Sequence, residues 1–261
     1  MIGSSRQRKT RLLLIGIDAY QHWGRLSFPV SDCEGFLGIL KNHYGFSEAD
    51  LMHENKRPLY DAEATTDMIY DELYRLSDKD ESGKPHLSAD DNLIVYYAGH
   101  GHLNNTVDEG YWAPVDAPLP KRPADLKKLI SVGEVVKILS KIPAHHIILI
   151  VDACFPQTFA RITVDVPSKG DDNNPEEKPS RWALTSGRLE TVADRSPFAE
   201  ALRHLLENND KPKLSIVTLG AGIMEHVRNS GLQNAWCASL TENRFDGGEF
   251  FFHRQSLVYM S

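Results

Sequence analysis

The chain has 261 residues, of which 41% are hydrophobic and 25% are charged. These fractions are those of ordinary globular domains and exclude a chain that is mainly disordered, collagen-like or coiled coil. Lys and Arg number 29 and Asp and Glu number 36, which gives a formal net charge of −7. Because the excess is acidic, we expect no general affinity for nucleic acid or for anionic membranes.

The cysteines are too few and too widely spaced for a disulfide framework or a Cys-x-x-Cys metal site, and they are Cys33, Cys154 and Cys237. Their number favours a reducing, cytoplasmic setting. Near the amino terminus, residues 12–17 are apolar and follow a basic stretch, as in a secretory signal. This run ends at Asp18 and is too short for a signal peptide or a membrane span, so we predict a buried first strand.

Short apolar runs alternate with segments of helical periodicity, which is typical of a parallel sheet with helices on both faces. We predict an α/β fold, a three-layer sandwich with about six mostly parallel strands. The predicted strands are 12–17, 51–54, 93–98, 147–151, 182–185 and 249–253.

Helix starts are predicted from serine caps that are followed by Glu or Pro, and these caps are Ser31, Ser131 and Ser196. The first cap predicts a helix that begins near Asp32. Apolar residues with helical spacing predict two more helices near 69–76 and 219–227.

Residues 163–180 are rich in Pro, Gly, Asp and Asn and contain few apolar side chains. Such a segment cannot offset the entropy of being ordered, so we predict an exposed, mobile linker. We predict one domain over 1–261, with a larger part at 11–162 before the linker and a smaller part at 181–261 after it.

Two predicted strands end in reactive residues. His100 follows strand 93–98, and Cys154 follows strand 147–151. If these strands are parallel neighbours, their carboxyl ends place the two residues at the same edge of the sheet. An imidazole beside a thiol supplies the base that forms the thiolate and later protonates a leaving amine. We predict a Cys-His catalytic dyad, with an oxyanion hole formed by the backbone N–H groups of Gly101 and Cys154.

The motifs at 96–101, Tyr-Tyr-Ala-Gly-His-Gly, and at 152–155, Asp-Ala-Cys-Phe, resemble the His and Cys motifs of caspase-like cysteine peptidases (peptidase C14). They are most similar to those of metacaspases and their prokaryotic relatives. The two reactive residues are 54 positions apart, close to the roughly 50 typical of caspases. Other segments in family order are 15–20, 29–32, 44–46, 184–187, 196–198 and 248–252.

The resemblance implies a caspase-like fold and an intracellular cysteine endopeptidase acting on proteins or peptides. In metacaspases two acids line the S1 pocket, and Asp32 and Asp152 match their positions. Two partly desolvated carboxylates favour a cation between them, so we expect Arg or Lys at P1. No organic cofactor and no metal site are predicted; calcium dependence is common in metacaspases and stays open, although no EF-hand spacing occurs.

The expected preference for a basic P1 residue also applies to the protein's own linker. Four basic residues lie in or beside the predicted linker, and they are Arg161, Lys169, Lys178 and Arg181. Cleavage there, by the enzyme itself or by an activating protease, would activate a zymogen. A role in prokaryotic cell death or antiviral defence follows from family analogy alone.

One departure from the family favours a second interpretation. Phe155 is followed by Pro156 and Gln157, where relatives commonly have Ser-Gly, and Pro156 lacks an N–H. We expect this change to affect the primed side of the cleft more than the nucleophile. The alternative function is therefore a catalytically silent caspase-like module used for signalling or as a scaffold.

Several candidate site residues also have structural interpretations. His102 could replace His100 as the base, Asp32 could favour a helix dipole, and Asp152 could bond loop amides. Cys33 and Cys237 are expected to be structural. The adjacent His145 and His146 lack the clustered ligands of a metal site.

Overall fold

The computed structural model describes residues 8–79, 82–153, 174–188, 196–231, 233–240 and 247–255. The strands are β1 (Lys9–Gly16), β2 (Leu59–Tyr60), β3 (Asp91–Ala98), β4 (Gly101–Asn104), β5 (Glu109–Trp112), β6 (Ile130–Ser131), β7 (His146–Asp152), β8 (Ser180–Arg188), β9 (Lys213–Ser215), β10 (Gln233–Ser239) and β11 (Phe251–His253). The helices are α1 (Pro29–Tyr44), α2 (Thr66–Arg75), α3 (Val132–Leu139), α4 (Pro197–Glu207) and α5 (Ile216–Ser230). None of the helices described is long and apolar enough to cross a membrane.

A six-stranded sheet forms the centre of the fold, in the order β10-β8-β7-β3-β1-β2. Every neighbouring pair is parallel except β10 and β8. The predicted fold class is therefore confirmed. Strands β7 and β8, which lie on either side of the predicted linker, pair directly in this sheet. The boundaries predicted for a larger and a smaller part stay predictions.

Two apolar layers cover the sheet. Helices α2 and α3 pack on one face against residues such as Leu13, Val95 and Leu149. Helices α1, α4 and α5 pack on the other face against residues such as Leu14 and Ile94. Because successive side chains of a strand point to opposite faces, a central strand with both faces covered is a continuous apolar run.

The predicted helix starts are confirmed in two of three cases. The side chains of Ser131 and Ser196 accept hydrogen bonds at the starts of α3 and α4. Helix α1 differs, because it begins at Pro29 and has Phe28 as its cap. Ser31 lies inside the first turn, and its hydroxyl donates to the Phe28 carbonyl at 2.9 Å. The helix begins earlier than predicted because proline at the first position already has a backbone angle suited to a helix.

The sequence predicted the edge strands of the main sheet and the small sheets less accurately than the central strands. Residue 51 makes only an isolated bridge, and the edge strand is β2. The predicted strand 249–253 is shortened to β11, which pairs with β9 in a separate two-stranded sheet. The sixth strand of the main sheet is β10, which the sequence pattern missed. A small sheet of β4, β5 and β6 was missed as well.

The described part of the predicted linker, residues 174–180, contacts the body, and its residues range from exposed to buried. The prediction that the linker is mobile stays a prediction. Residues 174–180 include a short 3-10 turn, and Ser180 is fully buried at the start of β8. His146 Nε2 lies 3.1 Å from the Glu176 carbonyl oxygen, and the carboxylate of Glu176 pairs with Lys213 at 3.3 Å. These polar contacts replace the apolar packing that this segment lacks. Residues 163–173 lie outside the described residues.

Candidate active site

The carboxyl ends of β3 and β7 meet at one edge of the sheet. Ala98 pairs with Asp152 in the parallel register, and Gly99 N–H donates to the Asp152 carbonyl at 3.1 Å. Positions 100 and 154 therefore each come two residues after the end of a strand, β3 and β7 respectively. Cys154 itself, the predicted nucleophile, lies outside the described residues.

The ring of His100 is oriented by a backbone carbonyl. Its Nε2 lies 2.7 Å from the oxygen of Gly24, in the segment that connects β1 to α1. A carbonyl oxygen can only accept a hydrogen bond, so Nε2 must carry a proton. In the neutral ring Nδ1 is then the basic nitrogen, and this is the atom that could take a proton from a thiol.

Aromatic side chains surround His100. The ring centroids of Tyr20 and Trp23 lie 4.7 Å and 5.4 Å from that of His100. The His100 N–H donates to Tyr20 Oη at 2.7 Å, and Tyr97 Oη contacts the His100 carbonyl at 2.7 Å. Gly99 is required here, because a Cβ at this position would lie 2.3 Å from Tyr20 Oη. Both the ring and the backbone of His100 are therefore held in place.

The segment that carries Gly24 is anchored by Asp61. Asp61 Oδ1 accepts from the backbone N–H groups of Asp18 at 2.7 Å and Ala19 at 2.8 Å. Asp61 adopts a left-handed conformation with φ of 45°, which is uncommon outside glycine. Within the same segment, Leu26 N–H donates to the Asp18 carbonyl at 2.9 Å. Asp61 thus supports the loop whose carbonyl orients His100.

Gly101, predicted to supply an oxyanion donor, begins β4 opposite Trp112 on β5. Ala113 N–H donates to the His100 carbonyl at 3.0 Å, which makes Gly101 and Trp112 a non-hydrogen-bonded pair of the antiparallel ladder. The N–H of Gly101 consequently points away from β5. This geometry leaves it suited to the predicted role.

The two predicted S1 acids are buried near the same edge. Asp32 is 3% exposed in the first turn of α1, and Asp152 is 7% exposed at the end of β7. Burial raises the pKa of the Cys33 thiol, and the charges of Asp32 and Asp152 raise it further. Both carboxylates likewise add to the effect of burial in raising the pKa of Tyr96, whereas Arg203 opposes it. These residues thus share one electrostatic environment.

The structure also shows the surroundings of the histidines and the cysteine for which the sequence offered other interpretations. His102 lies in β4, and partial burial lowers the pKa of its ring. Cys33 is buried and its Sγ lies 3.5 Å from the Ile15 carbonyl, as a structural cysteine would. His145 and His146 both contact the Glu176 carbonyl through Nε2. Within the described ranges, no three His, Cys, Asp or Glu residues are grouped so that they could hold a metal ion.

The predicted processing sites differ in accessibility. Arg161 and Lys169 lie outside the described residues. Lys178 is partly buried, and its carbonyl packs against Gly248. Arg181 is 5% exposed, and its guanidinium donates to four backbone carbonyls at 2.7–3.1 Å. Because Arg181 is fixed within β8, a protease cannot reach it in this state.

Comparisons with known proteins identify the family and the fold. A family model described as "Caspase domain" matches residues 9–245. The chain belongs to the caspase family. A solved structure described as "structure of pro-sf-caspase-1" is similar to this caspase-family chain with a TM-score of 0.55 and 12% identity, covering 91% of this chain and 90% of the other. At this identity the likeness supports the fold alone. A search of curated protein sequences gives no match.

Family membership implies cysteine peptidase chemistry and protein substrates. Sequence reasoning did not identify Gly24, Asp61 or Arg203 as parts of the site. A backbone carbonyl has no signature in the sequence, and the two side chains act through contacts between distant segments. Tyr20 lay within the family-like segment 15–20, which was its only signal.

Proposed function

We propose that this caspase-family chain is a cysteine endopeptidase in which His100 and Cys154 form the catalytic dyad. The observation that supports this most directly is the 2.7 Å contact between His100 Nε2 and the Gly24 carbonyl. This contact orients the imidazole with Nδ1 as the basic nitrogen. The alignment of Ala98 with Asp152 adds support, because it brings the two motif-bearing strand ends together.

The mechanism follows from these positions. The Cys154 thiol transfers its proton to Nδ1 of His100, and the thiolate attacks the scissile carbonyl carbon. The carbonyl π electrons move to oxygen, and the N–H groups of Gly101 and Cys154 stabilise the oxyanion. Collapse of this adduct breaks the C–N bond, and His100 protonates the departing amine. Water, deprotonated by His100, then attacks the thioester and releases the acid together with the Cys154 thiol.

The proposed P1 preference is Arg or Lys, with Asp32 and Asp152 in the S1 pocket. Their burial supports this assignment, since buried carboxylates favour a bound cation. A peptide library, digested and sequenced at the cleavage sites, tests the preference. Enrichment of Arg and Lys before the cut supports the assignment, and enrichment of Asp contradicts it.

The activity itself is tested with a fluorogenic peptide that ends in Arg. We expect the wild-type protein to release the fluorophore and the Cys154→Ala variant to release none above background. Equal rates for the two proteins would favour the alternative of a catalytically silent module. Assays with calcium and with a chelator show whether the ion is needed.

The further elements of the proposal are an intracellular location, activation by cleavage and a pathway in cell death or defence. Burial of Arg181 directs the processing proposal to the other three candidate sites, Arg161, Lys169 and Lys178. Mass spectrometry of the active enzyme should find a cut after one of these residues, and an intact chain would exclude processing. Host cells should lose viability with the wild type and not with Cys154→Ala if the pathway is cell death.

A further inference from the structure

An ion pair joins the predicted S1 acid Asp32 to Arg203, a residue of α4 in the carboxyl-terminal part of the chain. Arg203 Nη2 lies 3.4 Å from Asp32 Oδ1, and the two side chains are 22% and 4% exposed. Asp32 therefore already has a cation beside it when no substrate is present.

Gly35 makes room for this arginine. It lies one helical turn after Asp32 on α1, and a Cβ at position 35 would come within 2.9 Å of Arg203 Nη1 and 3.0 Å of Arg203 Cδ. The Arg203 side chain thus passes closely over the helix surface that Gly35 leaves open. Glycine destabilises a helix interior relative to alanine. Helix stability is therefore lower at the position where the arginine crosses.

The two proposed pocket acids differ in the cations that the described residues bring to them. Arg203 lies beside Asp32, and no ion pair to Asp152 occurs within the described part of the chain. Asp152 Oδ1 is buried and has no hydrogen-bond partner among the residues that the structure describes. An unpartnered buried carboxylate oxygen is costly. The arrangement therefore favours one further cation, beside Asp152.

We propose that Arg203 is a specificity-determining residue, a resident counter-ion of Asp32 that competes with a basic P1 side chain for this carboxylate. The inference rests on the proposed function, because that function places Asp32 and Asp152 in the S1 pocket. A P1 arginine or lysine pairs first with Asp152. It gains Asp32 only when Arg203 moves away.

Loss of the Arg203 charge then has two opposite consequences. The ligand-free protein loses the counter-ion of a buried carboxylate and becomes less stable. A bound cation no longer competes with Arg203 for Asp32 and is held more tightly, so the stabilisation by ligand grows. A merely structural arginine would produce only the first effect.

The test measures benzamidine binding by isothermal titration calorimetry. The Cys154→Ala background excludes turnover, and the planar amidinium of benzamidine is chemically similar to the guanidinium of a P1 arginine. We expect about ten-fold tighter binding after Arg203→Met or Arg203→Gln, because a competing unit charge is removed. Arg203→Lys should retain the original affinity. The exposed Arg228→Met serves as the matched control and should change nothing.

A second arm shows whether Arg203 acts through Asp32. In an Asp32→Asn background, Arg203→Met should no longer tighten benzamidine binding. The inference is overturned if tightening persists there, if Arg203→Met and Arg203→Gln bind equally or more weakly than the parent, or if no variant binds benzamidine. In catalytically competent protein, Arg203→Met should lower KM for an Arg peptide and leave kcat unchanged.

Failure of the proposed function has a different signature. In that case the wild-type protein cleaves the Arg peptide no faster than Cys154→Ala, whatever the benzamidine affinities are. Active enzyme with unchanged benzamidine binding in the Arg203 variants would remove the inference and leave the peptidase intact.

Discussion

His100 Nε2 and the carbonyl oxygen of Gly24 lie 2.7 Å apart, so the backbone of the segment after β1 sets the tautomer of the proposed base. Replacement of His100 by Gln should lower kcat/KM by about 10²–10⁴-fold, the usual contribution of a general acid-base group. His102→Gln is the matched control and should retain most of the activity. The kcat/KM of both variants is measured with the fluorogenic Arg peptide. A larger loss in His102→Gln than in His100→Gln would make His102 the base.

Asp61 is expected to act as a positioning residue, because it holds the backbone of Asp18 and Ala19 at 2.7 Å and 2.8 Å. Asp61→Ala removes these acceptors and should lower kcat by about 10–100-fold through misplacement of Gly24 and His100. Asp61→Asn keeps an acceptor oxygen and tolerates the left-handed backbone, so it should rescue most of the rate. Full activity of Asp61→Ala would show that the loop is held by other contacts.

The close approach of the Gly99 backbone to the Tyr20 hydroxyl can be tested by changing both residues. Gly99→Ala places a Cβ 2.3 Å from Tyr20 Oη, and we expect a loss of about 1–3 kcal/mol in the free energy of unfolding. Tyr20→Phe removes that oxygen, so the double variant should lose less than the sum of the two single losses. Urea denaturation of the four proteins measures the coupling. If the losses of the two single variants simply add in the double variant, the destabilisation by Gly99→Ala does not come from contact with the Tyr20 hydroxyl.

Thiol reactivity should single out Cys154. Burial raises the pKa of Cys237 to about 12, and burial with nearby carboxylates raises the pKa of Cys33 as well. Both thiols therefore stay protonated at neutral pH and react slowly with alkylating agents. Iodoacetamide at pH 7 should modify one cysteine of the wild type and none of Cys154→Ala, as read by mass spectrometry. Labelling of Cys33 or Cys237 at a comparable rate would contradict their structural role.

The central strands could be predicted because burial on both faces forces continuous apolar runs, as in β1, β3 and β7. Strand β10 gives no such signal, since it is an edge strand of mixed composition whose partner, β8, is set by the tertiary fold. The start of α1 shows a competition between two local signals. Pro29 already has the backbone angle of a first helical turn, and it prevailed over the capping box at Ser31.

The candidate site was predictable only in part, for similar reasons. His100 could be found because strand order and parallel pairing carry strand-end residues to a common edge. The Gly24 carbonyl and the Asp61 support depend on loop geometry, which no residue pattern encodes. The pairing of Asp32 with Arg203 joins α1 to α4, and only the packing of these helices against each other brings the charges together.

The pH dependence of stability should report the buried ring of His146. Its Nδ1 lies 2.7 Å from Ser180 Oγ and its Nε2 lies 3.1 Å from the Glu176 carbonyl, which suits the neutral ring with Nε2 protonated. Burial, reinforced by His145, lowers the pKa of His146 to about 3. The unfolded ring, with a pKa near its ordinary value of about 6.5, therefore binds a proton first on acidification.

Stability contributed by His146 is consequently present above about pH 6.5 and is lost as the pH falls toward about 3, by up to about 1.4 kcal/mol per pH unit. Between pH 7.5 and pH 5 this group alone should lower the free energy of unfolding by about 2 kcal/mol. His146→Gln should be less stable than the wild type at pH 7.5, because the contacts of this side chain change. At pH 5 the difference in the free energy of unfolding between the two proteins should be smaller by about 2 kcal/mol. Urea denaturation at both pH values tests this, with the exposed His226→Gln as a control that should follow the wild type. Parallel pH profiles of the wild type and His146→Gln would mean that this ring is not held neutral by burial.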